Sequence, residues 1–168
     1  MRKRVLIVCH ANTARSVMAH KLIERMLAER GLAERLHVTS AGVWTYARDG
    51  MIPSLDARLA LREVGIELAE DALASTALRE HPELLGSADL VVTMTAEQTA
   101  LVRALGNGRG IEVVTLPELA GETGDIADPA GGGEEAFRAA RDEIMRCLAL
   151  GFDRMVTLAL GRRCSGRD

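Results

Sequence analysis

Cys9 and Arg15 enclose the segment Cys-His-Ala-Asn-Thr-Ala-Arg, which lies between a short apolar run and a helical pattern that begins at about Ser16. The N-terminus of a helix favours negative charge, so a thiol placed there is held in its nucleophilic thiolate form. The backbone N–H groups of such a loop can converge on one point and bind an anion. Arg15 adds a fork of donors suited to phosphate oxygens. The segment therefore predicts phosphoryl transfer to the sulfur of Cys9. A buried structural cysteine beside an arginine that caps a turn is the alternative, although the strand before and the helix after fit a phosphate site.

A second candidate for chemistry lies in the loop over residues 124–133, which contains Asp125, Asp128 and Pro129. A carboxylic acid at the mouth of the site could protonate the leaving group, and its ionised form could then activate water against a phosphocysteine. Alternatively, Asp128 forms a turn with its own backbone, as Asp before Pro commonly does. Taken alone the loop favours the turn, but together with the Cys9 segment it favours the acid.

Short apolar runs alternate with helical patterns along the chain. The runs predict strands over 5–9, 36–40, 90–94 and 111–115, and the patterns predict helices over about 16–30, 55–64, 96–105 and 134–160. Alternation of this kind predicts an α/β fold in which helices cover both faces of a parallel sheet. Ligands bind beyond the carboxyl ends of such strands, and Cys9 ends the first one.

Length and charge narrow the class of protein. The 168 residues predict one domain over 1–168, and a net charge of −3 without a basic block gives no sign of nucleic acid or an anionic membrane as partner. No apolar stretch is long enough to span a bilayer. The three cysteines are an odd number and lie far apart, which favours a reducing compartment over a disulfide framework. We therefore expect a cytoplasmic protein.

The four histidines show no spacing to a cysteine or carboxylate that is typical of a metal site. His10 lies in the loop after Cys9, and His20 is expected on the exposed face of its helix. We predict no metal.

Four segments in this order resemble the low-molecular-weight protein-tyrosine phosphatase family: residues 8–19, 39–43, 88–95 and 125–132. The similarity covers nearly the whole chain. It implies a doubly wound four-stranded parallel sheet in the order 2-1-3-4, no cofactor, a phosphorylated protein or peptide as substrate, and a monomer or weak dimer.

The resemblance also implies roles for residues of this chain. Cys9 would be the nucleophile, Arg15 the clamp on the phosphate, Asp128 the general acid and Ser16 a donor to the thiolate. Asn12 would hold the loop in shape through a bond to Ser40. The remaining residues that would contact substrate are His10, Ala11, Thr13, Ala14 and Trp44.

Within the family the chain is more similar to the bacterial branch that includes protein-arginine phosphatases. Thr13 stands where tyrosine-specific members usually have Ile, and its hydroxyl could meet a phosphoguanidinium N–H. We therefore favour phosphoarginine, with phosphotyrosine as the alternative.

Three alanines depart from the family pattern. Ala11 replaces a glycine that often tolerates a positive φ. Ala14 replaces a second cysteine, so this chain should lack the disulfide that protects the nucleophile. Ala130 replaces an aromatic wall of the substrate slot, which leaves Trp44 or Tyr46 to form one.

Two further readings remain open. An arsenate reductase would need relay thiols, but Cys147 lies in the last predicted helix, where it is expected to be a core thiol, and Cys164 lies in the polar tail. A non-catalytic phosphopeptide-binding module would lack the nucleophile, acid or clamp, and all three are present.

Overall fold

Four parallel strands form a sheet in the order β2-β1-β3-β4 in the computed structural model, which describes residues 1–107 and 109–161. Their bounds are β1 (Lys3–Cys9), β2 (Leu36–Gly42), β3 (Leu90–Thr93) and β4 (Val113–Thr115). β1 lies between β2 and β3 and pairs with both. The predicted doubly wound four-stranded sheet is confirmed.

Helices connect the strands and pack on both faces of the sheet. In chain order they are α1 (Arg15–Glu29), α2 (Leu55–Arg62), α3 (Glu83–Ser87), α4 (Ala96–Gly106), α5 (Leu116–Leu119) and α6 (Gly133–Leu160). The four predicted helices correspond to α1, α2, α4 and α6. None of the helices among the described residues is long and apolar enough to cross a membrane.

The side chains of β1 alternate between two hydrophobic cores, as the period of a strand requires. Val5, Ile7 and Cys9 belong to the core shared with α1, α2, α5 and α6. Leu6 and Val8 belong to the smaller core shared with α3 and α4. Because both faces of β1 are covered, the strand carries a continuous apolar run, and its carboxyl end is held rigidly.

The prediction that His20 lies on an exposed helix face was wrong, because its side chain is buried. Its Nδ1 lies 2.9 Å from Oγ of Ser40 on β2, and its Nε2 lies 3.0 Å from Oε1 of Glu24. Partial burial raises the pKa of Glu24, but hydrogen bonds with His20 and Lys21 outweigh it and lower the pKa to about 2. Satisfied ring nitrogens explain why a histidine is accepted between α1 and the sheet.

Candidate active site

The thiol of Cys9 lies at the bottom of a loop formed by residues 10–14, between the end of β1 and the start of α1. The side chain is almost fully buried, at 3% exposure. The backbone N–H of Asn12 donates to its Sγ at 3.3 Å, and Oγ of Ser16 lies 3.0 Å from the same sulfur. These two groups are positioned to stabilise negative charge on the sulfur.

Asn12 holds the loop in shape, but not through Ser40. Its Nδ2 donates to Oγ of Ser16 at 2.8 Å, and its Oδ1 accepts from the backbone N–H of Thr76 at 2.9 Å. The predicted bond to Ser40 is therefore wrong, since Ser40 pairs with His20 instead. The contact with Thr76 ties the loop to the segment that follows α2.

The left-handed residue of the loop is Asn12, with φ of 61°, and Ala11 has no positive φ. The concern that Ala11 strains the loop is therefore removed, because asparagine tolerates this conformation better than most side chains. Gly42 allows β2 to approach the loop closely. A Cβ at this position would lie 2.7 Å from the carbonyl carbon of Ala11 and 2.7 Å from the carbonyl oxygen of His10.

Arg15 connects the loop to the segment over residues 124–133. Its guanidinium is buried, and Nη1 donates to the carbonyl oxygen of Ile126 at 2.8 Å. Nη2 lies 3.6 Å from Oδ2 of Asp128, whose side chain is 47% exposed. Oδ1 of Asp128 accepts from the backbone N–H of Ala130 at 3.0 Å. Asp128 thus forms the expected turn and faces the site at the same time.

The neighbouring carboxylate has a different environment. Oδ1 of Asp125 accepts from the backbone N–H of Ala96 at 2.9 Å, in the first turn of α4. A carboxylate at this end of a helix is stabilised by the unpaired N–H groups and the dipole. Of the two acids, the structure brings Asp128 to Arg15 and uses Asp125 to anchor the loop.

The rings of His10, Trp44 and Tyr46 pack in series beside the loop. The rings of His10 and Trp44 are stacked, with centroids 4.3 Å apart and planes 5° apart. Tyr46 is tilted against Trp44 at 6.3 Å and is half exposed. Burial raises the pKa of Tyr46, and so does the charge of Asp128, which places the phenol in the electrostatic field of the site.

Gln98 is a residue of this region that the sequence analysis missed. It is buried, and its Nε2 lies 2.6 Å from Nδ1 of His10. The sequence does contain a signal for its position, because Thr95 followed three residues later by Gln98 is the spacing of a capping box. The structure contains this capping box at the start of α4.

Thr13 and Ala14 complete the loop. The carbonyl oxygen of Thr13 accepts from the backbone N–H of Ser54, while its hydroxyl makes no hydrogen bond within residues 1–107 and 109–161. Ala14 precedes α1 without a side-chain cap. The described cysteines, Cys9 and Cys147, are both free, and Cys147 is a core thiol as predicted. Cys164 lies outside the described residues.

The prediction that the protein binds no metal stays a prediction. Among residues 1–107 and 109–161, two groups of three side chains lie close enough together to hold an ion. They are Asp49, Glu80 and His81, and Glu122, Glu143 and Cys147. In the first, His81 pairs with Asp49 at 2.6 Å, and in the second, Arg146 pairs with both glutamates. Neither group includes a residue of the Cys9 loop.

The family model described as low molecular weight phosphotyrosine protein phosphatase matches residues 4–152. The chain belongs to this family of hydrolases, which act on phosphorylated proteins. The predicted family is confirmed.

Three proteins show what this chain is similar to. A protein-arginine-phosphatase of Geobacillus stearothermophilus is 37% identical over 142 residues, which cover 84% of this chain and 88% of the relative. The low molecular weight protein-tyrosine-phosphatase PtpB of Staphylococcus haemolyticus is 29% identical over 144 residues, or 84% and 92% of the two chains. A structure of the YwlE arginine phosphatase, a Cys-to-Ser mutant with a phosphorylated active-site serine, has a TM-score of 0.80 and 32% identity, and covers 92% of this chain and 96% of its own.

Proposed function

We propose that this protein is a protein-arginine phosphatase that works through a phosphocysteine at Cys9. The observation that carries the proposal is the joint position of the buried Cys9 thiol, the Arg15 guanidinium and the Asp128 carboxylate around one loop. The hydroxyl of Thr13 in that loop, which has no partner in the part of the chain that the structure describes, supports phosphoarginine as the substrate.

In the first step the sulfur of Cys9 attacks phosphorus. The S–P bond forms while the bond from phosphorus to the leaving nitrogen breaks, and Asp128 gives that nitrogen its proton. The N–H groups of the loop and Arg15 bind the phosphoryl oxygens, whose charge is spread over three atoms in such a transition state. Asp128 is positioned for this task because its half-exposed side chain lies at the site, 3.6 Å from Arg15.

In the second step the ionised Asp128 takes a proton from water, and the resulting oxygen attacks phosphorus. The S–P bond breaks and the sulfur leaves as a thiolate. Nδ2 of Asn12 donates to Oγ of Ser16, which orients the Ser16 O–H toward the sulfur. Ser16 then stabilises the departing thiolate with a charge-assisted hydrogen bond.

We assign the preference for phosphoarginine over phosphotyrosine to Thr13. Its hydroxyl has no hydrogen-bond partner among the described residues, so it could accept from a guanidinium N–H or orient the attacking water. The similarity to the Geobacillus stearothermophilus and YwlE arginine phosphatases supports the same substrate.

Phosphotyrosine is the second candidate, and a specific observation favours it. Trp44 and Tyr46 present aromatic surface at the site, and a phenyl ring packs well against such surface. The similarity to PtpB agrees with this alternative.

An arsenate reductase is less well supported. The relay would need a thiol that reaches Cys9, and Cys147 has 0% exposure in the core. A non-catalytic phosphopeptide-binding module would require the loss of Cys9, Arg15 or Asp128, and the chain retains all three.

We further propose a monomer or weak dimer, folded as one domain over residues 1–168, that acts in the cytoplasm. The free thiol of Cys9 supports a reducing compartment. Sedimentation equilibrium would test the oligomeric state.

The function is tested with peptides of one sequence that carry phosphoarginine or phosphotyrosine. We expect the wild-type protein to prefer phosphoarginine and Cys9→Ser to hydrolyse neither. Thr13→Val removes the hydroxyl at nearly constant shape and should shift the preference toward phosphotyrosine, whereas Thr13→Ser should keep the wild-type preference. A wild-type preference for phosphotyrosine that Thr13→Val does not change would refute the assignment of substrate, and full activity of Cys9→Ser would refute the mechanism.

A further inference from the structure

The side-chain amide of Gln98 has one possible orientation. One of its terminal atoms lies 2.9 Å from the backbone N–H of Met94 and 3.1 Å from that of Thr95. Both partners are donors, so this atom is the oxygen Oε1 and the other is Nε2. Nε2 is therefore the atom 2.6 Å from Nδ1 of His10.

This orientation fixes the state of the His10 imidazole. Because Nε2 of Gln98 carries hydrogens and accepts nothing, Nδ1 of His10 must accept, and the ring proton lies on Nε2. A second proton on Nδ1 would oppose the N–H groups of Gln98. Gln98 cannot rotate to relieve that contact without breaking the bonds to Met94 and Thr95.

The charged groups around His10 also favour the neutral imidazole. Burial lowers the pKa of His10, and the charge of Arg15 in its own loop lowers it further. Asp128 and Glu97 act in the opposite direction and do not cancel the first two effects. The side chains that contact the imidazole directly, Gln98 and Trp44, are uncharged, and so is Tyr46, which contacts Trp44.

His10 also contacts Trp44 through both its ring and its backbone. The two rings are parallel within 5° at 4.3 Å, and the backbone N–H of Trp44 donates to the carbonyl oxygen of His10 at 3.0 Å. Gln98 on α4 thus holds the imidazole, and the imidazole supports the indole from one side.

We propose that His10 is a positioning residue whose neutral imidazole holds Trp44 as a wall of the substrate slot, and whose protonation releases that wall. The inference rests on the proposed function in one respect, namely that substrate lies against Trp44. Removal of the support should weaken substrate binding and leave the chemical step at Cys9 nearly unchanged.

Trp44 is the one tryptophan of the chain, so its fluorescence reports on this stack without any substrate. We expect the wild-type emission to change with pH, with a midpoint below the ordinary histidine value of 6.5. Gln98→Glu keeps the capping box, since Glu and Gln both serve at this position, but it replaces the donor by an acceptor. The midpoint should then rise by about one pH unit or more.

The matched control is His37→Gln, because His37 lies exposed on β2. We expect His10→Gln to abolish the fluorescence titration and His37→Gln to retain it. A titration that survives in His10→Gln, or a midpoint that Gln98→Glu leaves unchanged, would overturn the proposal.

Kinetics provide the second readout. We expect His10→Gln to raise KM about 3- to 10-fold, the effect of losing one aromatic contact, while kcat stays within about 2-fold of wild type. In the wild-type protein KM should rise below the fluorescence midpoint, and in Gln98→Glu this rise should move to higher pH. A fall in kcat at constant KM would place His10 in the chemical step and refute the positioning role. If no phosphorylated peptide is hydrolysed but the fluorescence midpoint moves as described, the proposed function fails and the support of Trp44 by His10 stands.

Discussion

Substitution of Asp128 by asparagine separates a role in chemistry from a role in structure. Asparagine keeps an oxygen that can accept from the N–H of Ala130, so the turn should persist. The lost ion pair with Arg15 spans 3.6 Å, and the carboxylate is 47% exposed. Such a pair contributes about 0–1 kcal/mol to stability, so the urea midpoint should change little.

The expected effect on the reaction is much larger. Removal of a general acid typically lowers kcat about 100- to 10,000-fold. This range corresponds to about 3–5 kcal/mol of transition-state stabilisation. Because that cost exceeds the structural one several-fold, a loss of kcat in a protein of normal stability identifies the acid.

The assay compares phenyl phosphate with 4-nitrophenyl phosphate, whose leaving group is a much weaker base. Asp128→Asn should lose more kcat with phenyl phosphate, since phenolate needs the proton more. The control is Asp125→Asn, which alters the contact with the N-terminus of α4 and should cost about 0.3–1 kcal/mol of stability with kcat near the wild-type value. Loss of turnover in Asp125→Asn combined with normal turnover in Asp128→Asn would refute our assignment.

Three further substitutions test how the loop and its support are built. Asn12→Ala should lower the free energy of unfolding by about 2–4 kcal/mol, because alanine resists the left-handed backbone and leaves the N–H of Thr76 without its acceptor. A urea midpoint equal to that of the wild-type protein would contradict this prediction. Gly42→Ala should displace the loop at Ala11, lower the free energy of unfolding by about 1–3 kcal/mol and reduce kcat/KM. Wild-type kinetics in this variant would show that the close approach of β2 to the loop is unimportant. Glu24→Gln tests a carboxylate whose folded pKa is depressed from 4.5 to about 2, so its stabilisation is present above pH 4.5 and is lost as the pH falls through 2. Because this side chain is 43% exposed, we expect a loss of about 1 kcal/mol at pH 7 and a smaller loss near pH 2, and an equal loss at both pH values in thermal unfolding would refute the assignment.

The sequence was sufficient to predict the parallel sheet and the position of the Cys9 loop between a strand and a helix. The apolar run before Cys9 and the helical period after Ser16 are local signals, and neither depends on residues that are distant in the chain. By contrast, α3 and α5 contain five and four residues, too few to show a helical period. α5 begins with the capping box of Thr115 and Glu118, whereas α3 follows Pro82 and has no side-chain cap.

The contacts that the sequence could not supply join residues far apart in the chain. His20 is polar and was assigned to the exposed face, but Ser40 and Glu24 satisfy both of its ring nitrogens. Asn12 was expected to bind Ser40, yet its oxygen accepts from Thr76, which lies 64 positions later. Pairings of this kind follow from how segments pack, and one segment read alone does not contain them.

The bond from Arg15 to the carbonyl oxygen of Ile126 has a consequence for the timing of catalysis. The guanidinium holds the segment that carries Asp128, so the proposed clamp and the proposed acid lie side by side in the folded chain. An enzyme with a mobile lid must close over each substrate and reopen, and that motion often limits its turnover. In the mechanism that we propose, this alignment comes from folding, so each turnover would begin from a preorganised electrostatic environment.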